Sequence, residues 1–274
     1  MQHALRPRIR AARFLLGLSE FVHSLPVAIL RPADMVEFSR EGYHTASRRF
    51  NEINDPDGGL SDDEKVLWNQ VQCRAGTLLV LGGGGGREVI FFGRQGFDVA
   101  AVDFSEQMLA LTDDAAADRG LSVQSWVGEL SEFEAPPDSF DVVWTSMFLY
   151  SVVLGRRRRQ DLLRRIRHSI KPGGFLVCSF HWQPQARYRR KGLLARRVVA
   201  WLTRGNAAFE NGDILFGNLE FRHAFASEDE LRAEFAAGGF DVRDLTIFDD
   251  LIRGGAILQN PGAPGRPPLS EQDL

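Results

Sequence analysis

From Thr77 onward, short apolar segments alternate along the chain with segments whose apolar residues recur at helical spacing. The short segments are rich in Val, Leu and Phe, and each ends in glycine, an acid or a small polar residue, as buried strands do. They are TLLVLG, DVAAVDF, SVQSWVG, FDVVWTSM and GFLVCSFHW. Strand and helix in alternation are typical of a parallel sheet covered on both faces, so the sequence predicts a doubly wound α/β domain.

Three segments lie outside this alternation. Residues 1–73 have a mostly helical pattern, and we expect them to form an N-terminal helical extension, or lid, on the domain at residues 74–259. Within that domain, residues 184–212 are interpreted as a basic helical insertion after the fifth strand. Residues 260–274 are rich in proline and glycine, which predicts a flexible tail.

Five consecutive glycines, Gly82 to Gly86, separate the first strand from the helix that follows it. Each glycine loses extra backbone entropy on folding, so a run of five indicates that a ligand approaches the backbone closely at this turn. The dinucleotide fingerprint Gly-x-Gly-x-x-Gly fails in all three frames, because Arg87, Glu88 and Val89 occupy its sixth position. A Walker phosphate loop is excluded as well, since no Gly-Lys-Ser or Gly-Lys-Thr follows.

A shorter pattern, Gly-x-Gly-x-Gly, is met by Gly82, Gly84 and Gly86. About twenty residues further on, Asp103 ends the second strand, where a carboxylate can accept hydrogen bonds from both hydroxyls of a ribose. The two features together predict a ribose-containing ligand at the carboxyl end of the sheet.

These motifs, in this order and spacing, resemble those of the class I methyltransferases that use S-adenosylmethionine. LLVLGGGGGREVIFFGRQGFDVAAVDFSEQML is similar to the family's first two motifs, WVGELSEF to its third-strand motif, and FDVVWTSMFLYSV to its fourth. SIKPGGFLVCSF resembles the turn into the fifth strand, and HAFASEDELRAEFAAGGFDVRDL the late helix and strand. The resemblance spans residues 78–258 and implies a Rossmann-like, mostly parallel seven-stranded sheet with S-adenosylmethionine as its cofactor.

The resemblance also implies a cofactor site of ten residues: Gly82, Gly84, Gly86, Asp103, Phe104, Met108, Glu129, Leu130, Ser146 and Met147. The glycines would pass beside the methionyl part, Asp103 would hold the ribose, the next four would contact the adenine, and the last two would line the far side. Two positions depart from the family pattern. Val80 stands where the family often has an acid, and Glu129 replaces the commoner Asp.

Methyl transfer from a sulfonium is an in-line displacement, so the protein has mainly to align the nucleophile and exclude water. A general base is therefore optional, and the sequence assigns none with certainty; His181, just past the fifth strand, is the candidate. We predict that Tyr150 and His223 lie with His181 at the end of the sheet where α/β sites open, and that Tyr43 belongs to the lid. The candidates for acceptor binding are therefore Tyr43, Tyr150, His181 and His223.

The formal charge of −3 conceals an uneven distribution. Residues 156–204 contain fifteen of the 33 basic residues and one acid, a net charge of +14, which leaves −17 for the rest of the chain. Within Arg187 to Arg204 an apolar set recurs at helical spacing: Leu194, Val198, Trp201 and Leu202. Such a helix suits either a solvated face above a packed stripe or an anionic membrane or lipid-linked acceptor. Nucleic acid is less favoured, because the fourth strand is not followed by the Asn-Pro-Pro-Tyr type of motif by which the resemblance would imply a nucleic-acid base as acceptor.

Metal and redox chemistry find little support in the sequence. Cys73 and Cys178 form no Cys-x-x-Cys pair, and no His-x-x-x-His pair is present, so we predict no metal site and a reducing cytoplasmic location. A peripheral position at the inner membrane face is compatible with the basic helix. The N-terminus is basic and then apolar, but Glu20, His23 and Pro26 interrupt it, so no apolar run reaches the roughly 18 residues of a membrane span.

The predicted function is transfer of a methyl group from S-adenosylmethionine to a small-molecule or lipid-linked acceptor. Two alternatives remain open from the sequence. One is a membrane-associated protein that binds the cofactor without turnover, which the departure at Val80 makes conceivable. The other is an NAD(P)-dependent oxidoreductase, disfavoured by the missing sixth-position glycine.

Overall fold

A computed structural model of the chain describes residues 7–53, 55–130, 132, 134–248 and 252–262, without the side chains of residues 44–53. Its described part contains nine strands: β1 (Gly76–Leu81), β2 (Phe97–Asp103), β3 (Val123–Val127), β4 (Phe140–Thr145), β5 (Ile170–His181), β6 (Asp213–Phe216), β7 (Glu220–His223), β8 (Asp241–Ile247) and β9 (Arg253–Gln259). The first five coincide with the five predicted apolar segments.

Seven strands form one sheet in the order β3-β2-β1-β4-β5-β9-β8. The five strands β1 to β5 are parallel, and β9 runs antiparallel between β5 and β8. The chain starts at the centre of the sheet, builds outward to β3, and then returns to β4 on the other side of β1. The carboxyl ends of β1 and β4 therefore flank the point where the order reverses, which is where open α/β sheets bind ligands. The predicted doubly wound fold is confirmed.

Ten helices occur in the described residues: α1 (Pro7–His23), α2 (Pro26–Ile29), α3 (Pro32–Ile53), α4 (Asp62–Trp68), α5 (Arg87–Arg94), α6 (Glu106–Ala117), α7 (Leu149–Val152), α8 (Arg156–Ser169), α9 (Arg190–Thr203) and α10 (Glu228–Ala237). Ser105 caps α6 by accepting a hydrogen bond from the backbone N–H of Met108 at 3.3 Å. The four helices α1 to α4 lie within residues 1–73, the segment for which the sequence predicts an N-terminal helical extension.

The core has one apolar layer on each face of the sheet. Leu79 and Leu81 of β1 face the layer that α8 and α10 cover with Leu163 and Phe235. Leu78 and Val80 face the opposite layer, which α4, α5 and α6 cover. Val80, the position where the family often has an acid, is completely buried in that apolar layer.

The insertion after β5 is longer than predicted from residues 184–212. It contains α9 and also a separate two-stranded sheet of β6 and β7, whose connecting turn has positive φ angles at Gly217 and Asn218. A third apolar cluster joins this insertion to the N-terminal extension, with Ala28 of α2, Ala200 of α9 and Phe221 of β7 among its members. The hairpin was missed because its four-residue strands carry little periodic signal.

Both ends of the chain differ from the sequence expectation. Asn260 is buried, and its side-chain amide donates a hydrogen bond to the carbonyl of Ile170 at 2.7 Å, so residue 260 belongs to the fold. The remainder of the predicted tail, residues 263–274, lies outside the described residues. Near the N-terminus, the stretch Pro7–Ile29 is long and apolar enough to cross a membrane by length and composition alone. The prediction from the sequence rested on unbroken apolar runs of roughly 18 residues. This stretch reaches the length and hydropathy of a membrane span only with its polar residues included.

Candidate functional site

The glycine run forms the turn between β1 and α5. Gly82, Gly84 and Gly86 have φ angles of +80°, +52° and +87°, a backbone region that side chains with a Cβ rarely adopt. The N–H groups of Gly82 and Gly83 both donate to the carbonyl of Val102 on β2, at 2.7 and 3.1 Å. The Gly-x-Gly-x-Gly spacing therefore follows from the backbone conformation, because every second residue of the turn lies in the left-handed region.

Asp103, the last residue of β2, connects the glycine turn to α6. Its carboxylate accepts hydrogen bonds from the N–H of Gly84 at 3.1 Å and from the N–H of Ser105 at 2.9 Å. Burial raises the pKa of Asp103 above its ordinary value, although these backbone N–H groups oppose the shift. A carboxylate has further lone pairs beyond these two bonds, so Asp103 can still accept from a ligand hydroxyl.

A cavity of about 490 Å³ opens above these strand ends. It is lined by nine of the ten residues that the resemblance assigns to the cofactor: Gly82, Gly84, Asp103, Phe104, Met108, Glu129, Leu130, Ser146 and Met147. A Cβ added at Gly84 would meet no atom closer than 3.7 Å, so it would occupy space of the cavity itself. The tenth residue, Gly86, does not line the cavity. A Cβ there would meet the Cα of Thr112 at 3.3 Å, so Gly86 lets α5 begin close against α6.

The far part of the cavity is closed by α3 and the β6–β7 hairpin, which a buried polar cluster ties together. The hydroxyl of Tyr43 on α3 donates to the carboxylate of Glu220 at 2.6 Å, and Glu220 also pairs with Arg222. Burial, followed by the charge of Glu220, raises the pKa of Tyr43, so its hydroxyl keeps its proton. The guanidinium of Arg222 lies between the rings of Phe148 and Phe216, at 4.2 and 4.0 Å. Tyr43, predicted from the sequence as a lid residue, lines the cavity.

Three other predicted acceptor residues lie behind the cavity wall. Tyr150 is buried, and its hydroxyl donates to Glu234 at 2.7 Å. His223 is buried with its Nδ1 2.7 Å from the carboxylate of Asp213. His181 is completely buried, and its ring packs against Phe148 and Phe216. Burial lowers the pKa of His181 to about 4, and the positive charge of Arg222 acts in the same direction. The imidazole is therefore neutral at pH 7, but none of the three residues lines the cavity.

Arg87 and Glu88 form a cluster in the cavity wall that the motif analysis did not assign. The guanidinium of Arg87 donates to Glu64 of α4 at 2.6 and 2.8 Å and to Glu88 at 2.8 Å. Burial raises the pKa of Glu88, while the charge of Arg87 opposes it. Glu88 is a buried acid in the first turn of the helix that follows the glycine motif, where the helix dipole favours negative charge. The sequence signal for Glu88 was therefore an acid in the first turn of the helix that follows the glycine run.

Glu210, Asp213 and His223 place one ligand atom each within 4.8 Å of one another, a grouping that could hold a metal ion. The guanidinium of Arg159 reaches into the same group and donates to Glu210 at 2.9 Å. Arg159 also donates to Glu234 at 2.7 Å. An arginine thus already supplies positive charge to these carboxylates, as in a buried ion-pair network.

Comparison with known proteins agrees with this geometry. Residues 78–174 match the family model of a methyltransferase domain. No protein of a curated set matches the chain. Among solved structures, a methyltransferase from Methanosarcina mazei superposes with a TM-score of 0.55 at 19% identity, over 73% of this chain and 98% of that one. One from Mesorhizobium loti gives 0.56 at 18% identity, over 75% of this chain and 100% of that one. Both are described as dependent on S-adenosylmethionine.

At these identities the solved structures establish the fold, and the family model identifies the glycine turn, Asp103 and the strands around them as a methyltransferase domain. The cavity fits the cofactor, because a glycine without a Cβ borders it and a buried carboxylate lies at its edge. The oxidoreductase alternative gains no support from these matches. The protein thus carries a methyltransferase domain at residues 78–174, on a fold shared with S-adenosylmethionine-dependent methyltransferases, and it is an enzyme whose cofactor is S-adenosylmethionine.

Proposed function

We propose that this methyltransferase acts on an apolar small-molecule or lipid-linked acceptor. The observation that carries the proposal is the lining of the cavity beyond the cofactor residues, where α3, α7 and the hairpin contribute mostly apolar side chains. They include Met35, Val36, Val152, Leu154, Leu219 and Phe221. An acceptor that fills this region gains free energy from leaving water, at about 25 cal/mol for each Å² of apolar surface buried.

The cofactor residues have separate roles in this proposal. Bound S-adenosylmethionine supplies a methyl group on a positively charged sulfonium. Asp103 holds the ribose hydroxyls, and the glycine turn lets the backbone lie against the cofactor. Glu88 supplies the buried carboxylate for the cofactor's ammonium group that the chain lacks at Val80, and Arg87 fixes its position by their 2.8 Å hydrogen bond.

The cluster of Tyr43, Glu220 and Arg222 orients the acceptor. Its charges are balanced within the cluster, so it offers polar contacts without net charge in an apolar wall. The Nη1 of Arg222 is buried and has no hydrogen-bond partner among the described residues. Because the two flanking rings hold the guanidinium in place, this N–H group is a fixed donor for an oxygen atom of the acceptor. The surrounding aromatic side chains exclude water, which protects the displacement from competing hydrolysis.

A labelled-methyl screen tests the acceptor class. Host extracts are separated into organic-soluble and water-soluble fractions, and each is incubated with the enzyme and S-adenosylmethionine labelled in its methyl group. We expect transfer of label into the organic-soluble fraction, where chromatography separates free small molecules from lipid-linked ones. Label confined to water-soluble metabolites, protein or nucleic acid would contradict the proposal.

Val36→Asp places a charge in the proposed acceptor wall without touching the ten cofactor positions. Val36 is half-buried, and a bound acceptor would cover the new carboxylate without pairing it. We therefore expect methyl transfer to fall by about tenfold or more, while calorimetry shows unchanged affinity for S-adenosylhomocysteine. Glu37→Gln, at an exposed neighbouring position on α3, is the matched control and should retain wild-type transfer. Equal activity of Val36→Asp and wild type would place the acceptor elsewhere.

Asp103→Ala tests the cofactor assignment. It removes one or two charge-assisted hydrogen bonds to the ribose, so we expect S-adenosylhomocysteine to bind more weakly by about 2–4 kcal/mol. Asp98→Ala, an exposed carboxylate on the same strand, is the control. Unchanged affinity in Asp103→Ala would mean that the ribose lies elsewhere in the cavity.

A further inference from the structure

The helices α1 and α9 expose large apolar side chains on a scale unusual for a protein surface. Nine of these side chains are between 47% and 75% exposed: Phe14, Leu15, Leu16, Leu18 and Val22 on α1, and Leu194, Val198, Trp201 and Leu202 on α9. We refer to these nine residues as the α1–α9 surface. All of α1 lies within the described residues, and none of its side chains is buried. Large exposed apolar patches mark sites of protein or membrane interaction.

The helix α9 meets the chain at the C-terminal end of α1. The guanidinium of Arg196 on α9 lies 5.0 Å from the ring of Phe21 near the end of α1. Its Nε donates to the hydroxyl of Ser24, directly after α1, at 2.9 Å. Ala28 of α2 and Ala200 of α9 pack in the same buried cluster. The apolar side chains of α1 and α9 are therefore carried on adjoining helices.

The orientation of α9 is the reverse of that expected for a helix packed in water. Arg196 is buried against the ring of Tyr188, 3.7 Å away, whereas Trp201 is the most exposed apolar residue of the helix. Burying Trp201 instead would remove a large apolar area from water. The sequence left open whether this apolar stripe packs on the protein or meets a membrane, and in the structure it faces outward.

Both helices that carry the α1–α9 surface are basic. Arg8, Arg10 and Arg13 lie on α1, whose only acid is Glu20. Arg190, Lys191 and Arg197 lie on α9, and the sequence has no acid between Asp161 and Glu210. Arg187, part of the predicted basic stretch, instead points into the fold and lies 3.5 Å from Glu230.

Exposed apolar side chains that include a tryptophan, on helices that also carry exposed arginines, suit an anionic bilayer interface. The rings and aliphatic chains enter the acyl boundary, while the guanidinium groups meet lipid phosphates. An acidic protein partner would match the charges alone, whereas a lipid interface matches both the charges and the exposed apolar side chains. We propose that the α1–α9 surface docks the enzyme peripherally on an anionic membrane.

The position of this surface relates it to the acceptor part of the cavity. The inner side of α9 packs through Ala200 into a cluster that also contains Met35, Leu154 and Phe221. These three residues line the cavity on their other side. One apolar layer thus separates the docking surface from the acceptor region. Only this last connection rests on the proposed function; the docking itself does not.

Vesicle cosedimentation of the full chain tests the proposal. We expect binding to phosphatidylcholine vesicles that contain phosphatidylglycerol, weak binding to phosphatidylcholine alone, and a decrease from about 50 to about 500 mM salt. Absence of binding to the anionic vesicles at low salt would overturn the proposal. Methyl transfer to a detergent-solubilised acceptor, measured in parallel, reports on the proposed function independently.

Two double variants separate the apolar and charged contributions. Trp201→Glu with Leu202→Glu should weaken vesicle binding by about tenfold or more. Arg190→Gln with Arg197→Gln should weaken it by a similar factor on anionic vesicles only. The matched controls are Val66→Glu, an exposed apolar position on α4, and Arg232→Gln with Arg243→Gln, which should bind as wild type does. Equal loss in variants and controls would overturn the assignment to this surface.

Two further experimental results would show that the α1–α9 surface has a role other than peripheral membrane docking. If light scattering shows a dimer of wild-type protein that Trp201→Glu dissociates, the surface is an interface between copies of the chain. If membrane-bound enzyme from cells resists alkaline carbonate extraction, the stretch Pro7–Ile29 spans the membrane rather than lying on it. Release by carbonate and a monomeric wild type support peripheral docking.

Discussion

The helices α8 and α9 are both 14 residues long and both combine arginines with an apolar stripe, yet the fold uses them in opposite ways. The stripe of α8 includes Leu162, Leu163 and Ile166, which are at most 1% exposed beneath the sheet. The stripe of α9 includes Leu194 and Trp201, which are 63% and 75% exposed. A helical period therefore predicts that a segment is a helix, but it does not predict what covers the apolar face.

Their buried arginines differ as well. Arg159 of α8 is paired with the carboxylates of Glu234 and Glu210, which come from distant parts of the chain. Arg196 of α9 meets only neutral groups that the structure describes, the Ser24 hydroxyl and the Tyr188 ring among them. The +14 block is thus partly neutralised inside the protein at α8, whereas the exposed basic residues of α9 face outward. The basic residues of such a run must therefore be separated into buried and exposed ones before the run is assigned to a binding partner.

The largest expected effect comes from breaking the buried ion pairs of α8. Arg159→Leu takes the buried guanidinium away from both Glu234 and Glu210 and leaves Glu234, among the described residues, only the half-exposed Arg156 as a cationic partner, at 3.2 Å. We expect the free energy of unfolding to fall by about 3–5 kcal/mol. Arg197→Leu on the exposed side of α9 should change it by no more than about 0.5 kcal/mol. Denaturant titration of both variants measures the difference, and similar values for the two would remove the contrast between the helices.

A smaller effect is expected from the apolar stripes. Leu163→Ala creates a cavity beneath the sheet and should cost about 2–5 kcal/mol of unfolding free energy. Leu194→Ala, the same substitution on α9, should be within about 0.5 kcal/mol of wild type, because the side chain is already in water. The same titrations report both values. A cost above about 2 kcal/mol for Leu194→Ala would show that α9 packs its stripe inward in solution.

The smallest effect is a pH dependence confined to the ion pairs of α8. Burial raises the pKa of Glu210, but the charge of Arg159 and the N–H of Arg156 outweigh it and hold the pKa below its ordinary value. A carboxylate with a lowered pKa stabilises the fold above its unfolded pKa, near 4.3 for a glutamate, and that contribution is lost as pH falls through the folded value. We expect Glu210→Gln to be less stable than wild type at pH 7 and to approach it below about pH 4. Denaturant titration at several pH values measures the difference, and a constant difference between Glu210→Gln and wild type would exclude the pairing.

Much of the site could be predicted because its signals are local in the sequence. The Gly-x-Gly-x-Gly spacing reflects positive φ angles at alternate residues of one turn, and Asp103 follows from its place at a strand end. The histidines could not be placed in this way. His181 and His223 have suitable chemistry and lie near the carboxyl edge of the sheet, but only the packing of Phe148 and Phe216 puts His181 behind the wall.

Local patterns predict the order of strands and helices, the glycine turn and the carboxylate at its edge, because hydrophobic period and backbone conformation act over a few residues. Tertiary packing alone sets which face of α9 meets solvent, and it joins Tyr43 to Glu220 across 177 positions of the chain. The same packing brings Glu88 to the cavity wall and leaves Val80 in the core. These arrangements depend on contacts between distant segments of the chain, and local sequence patterns do not predict the free energies of such contacts.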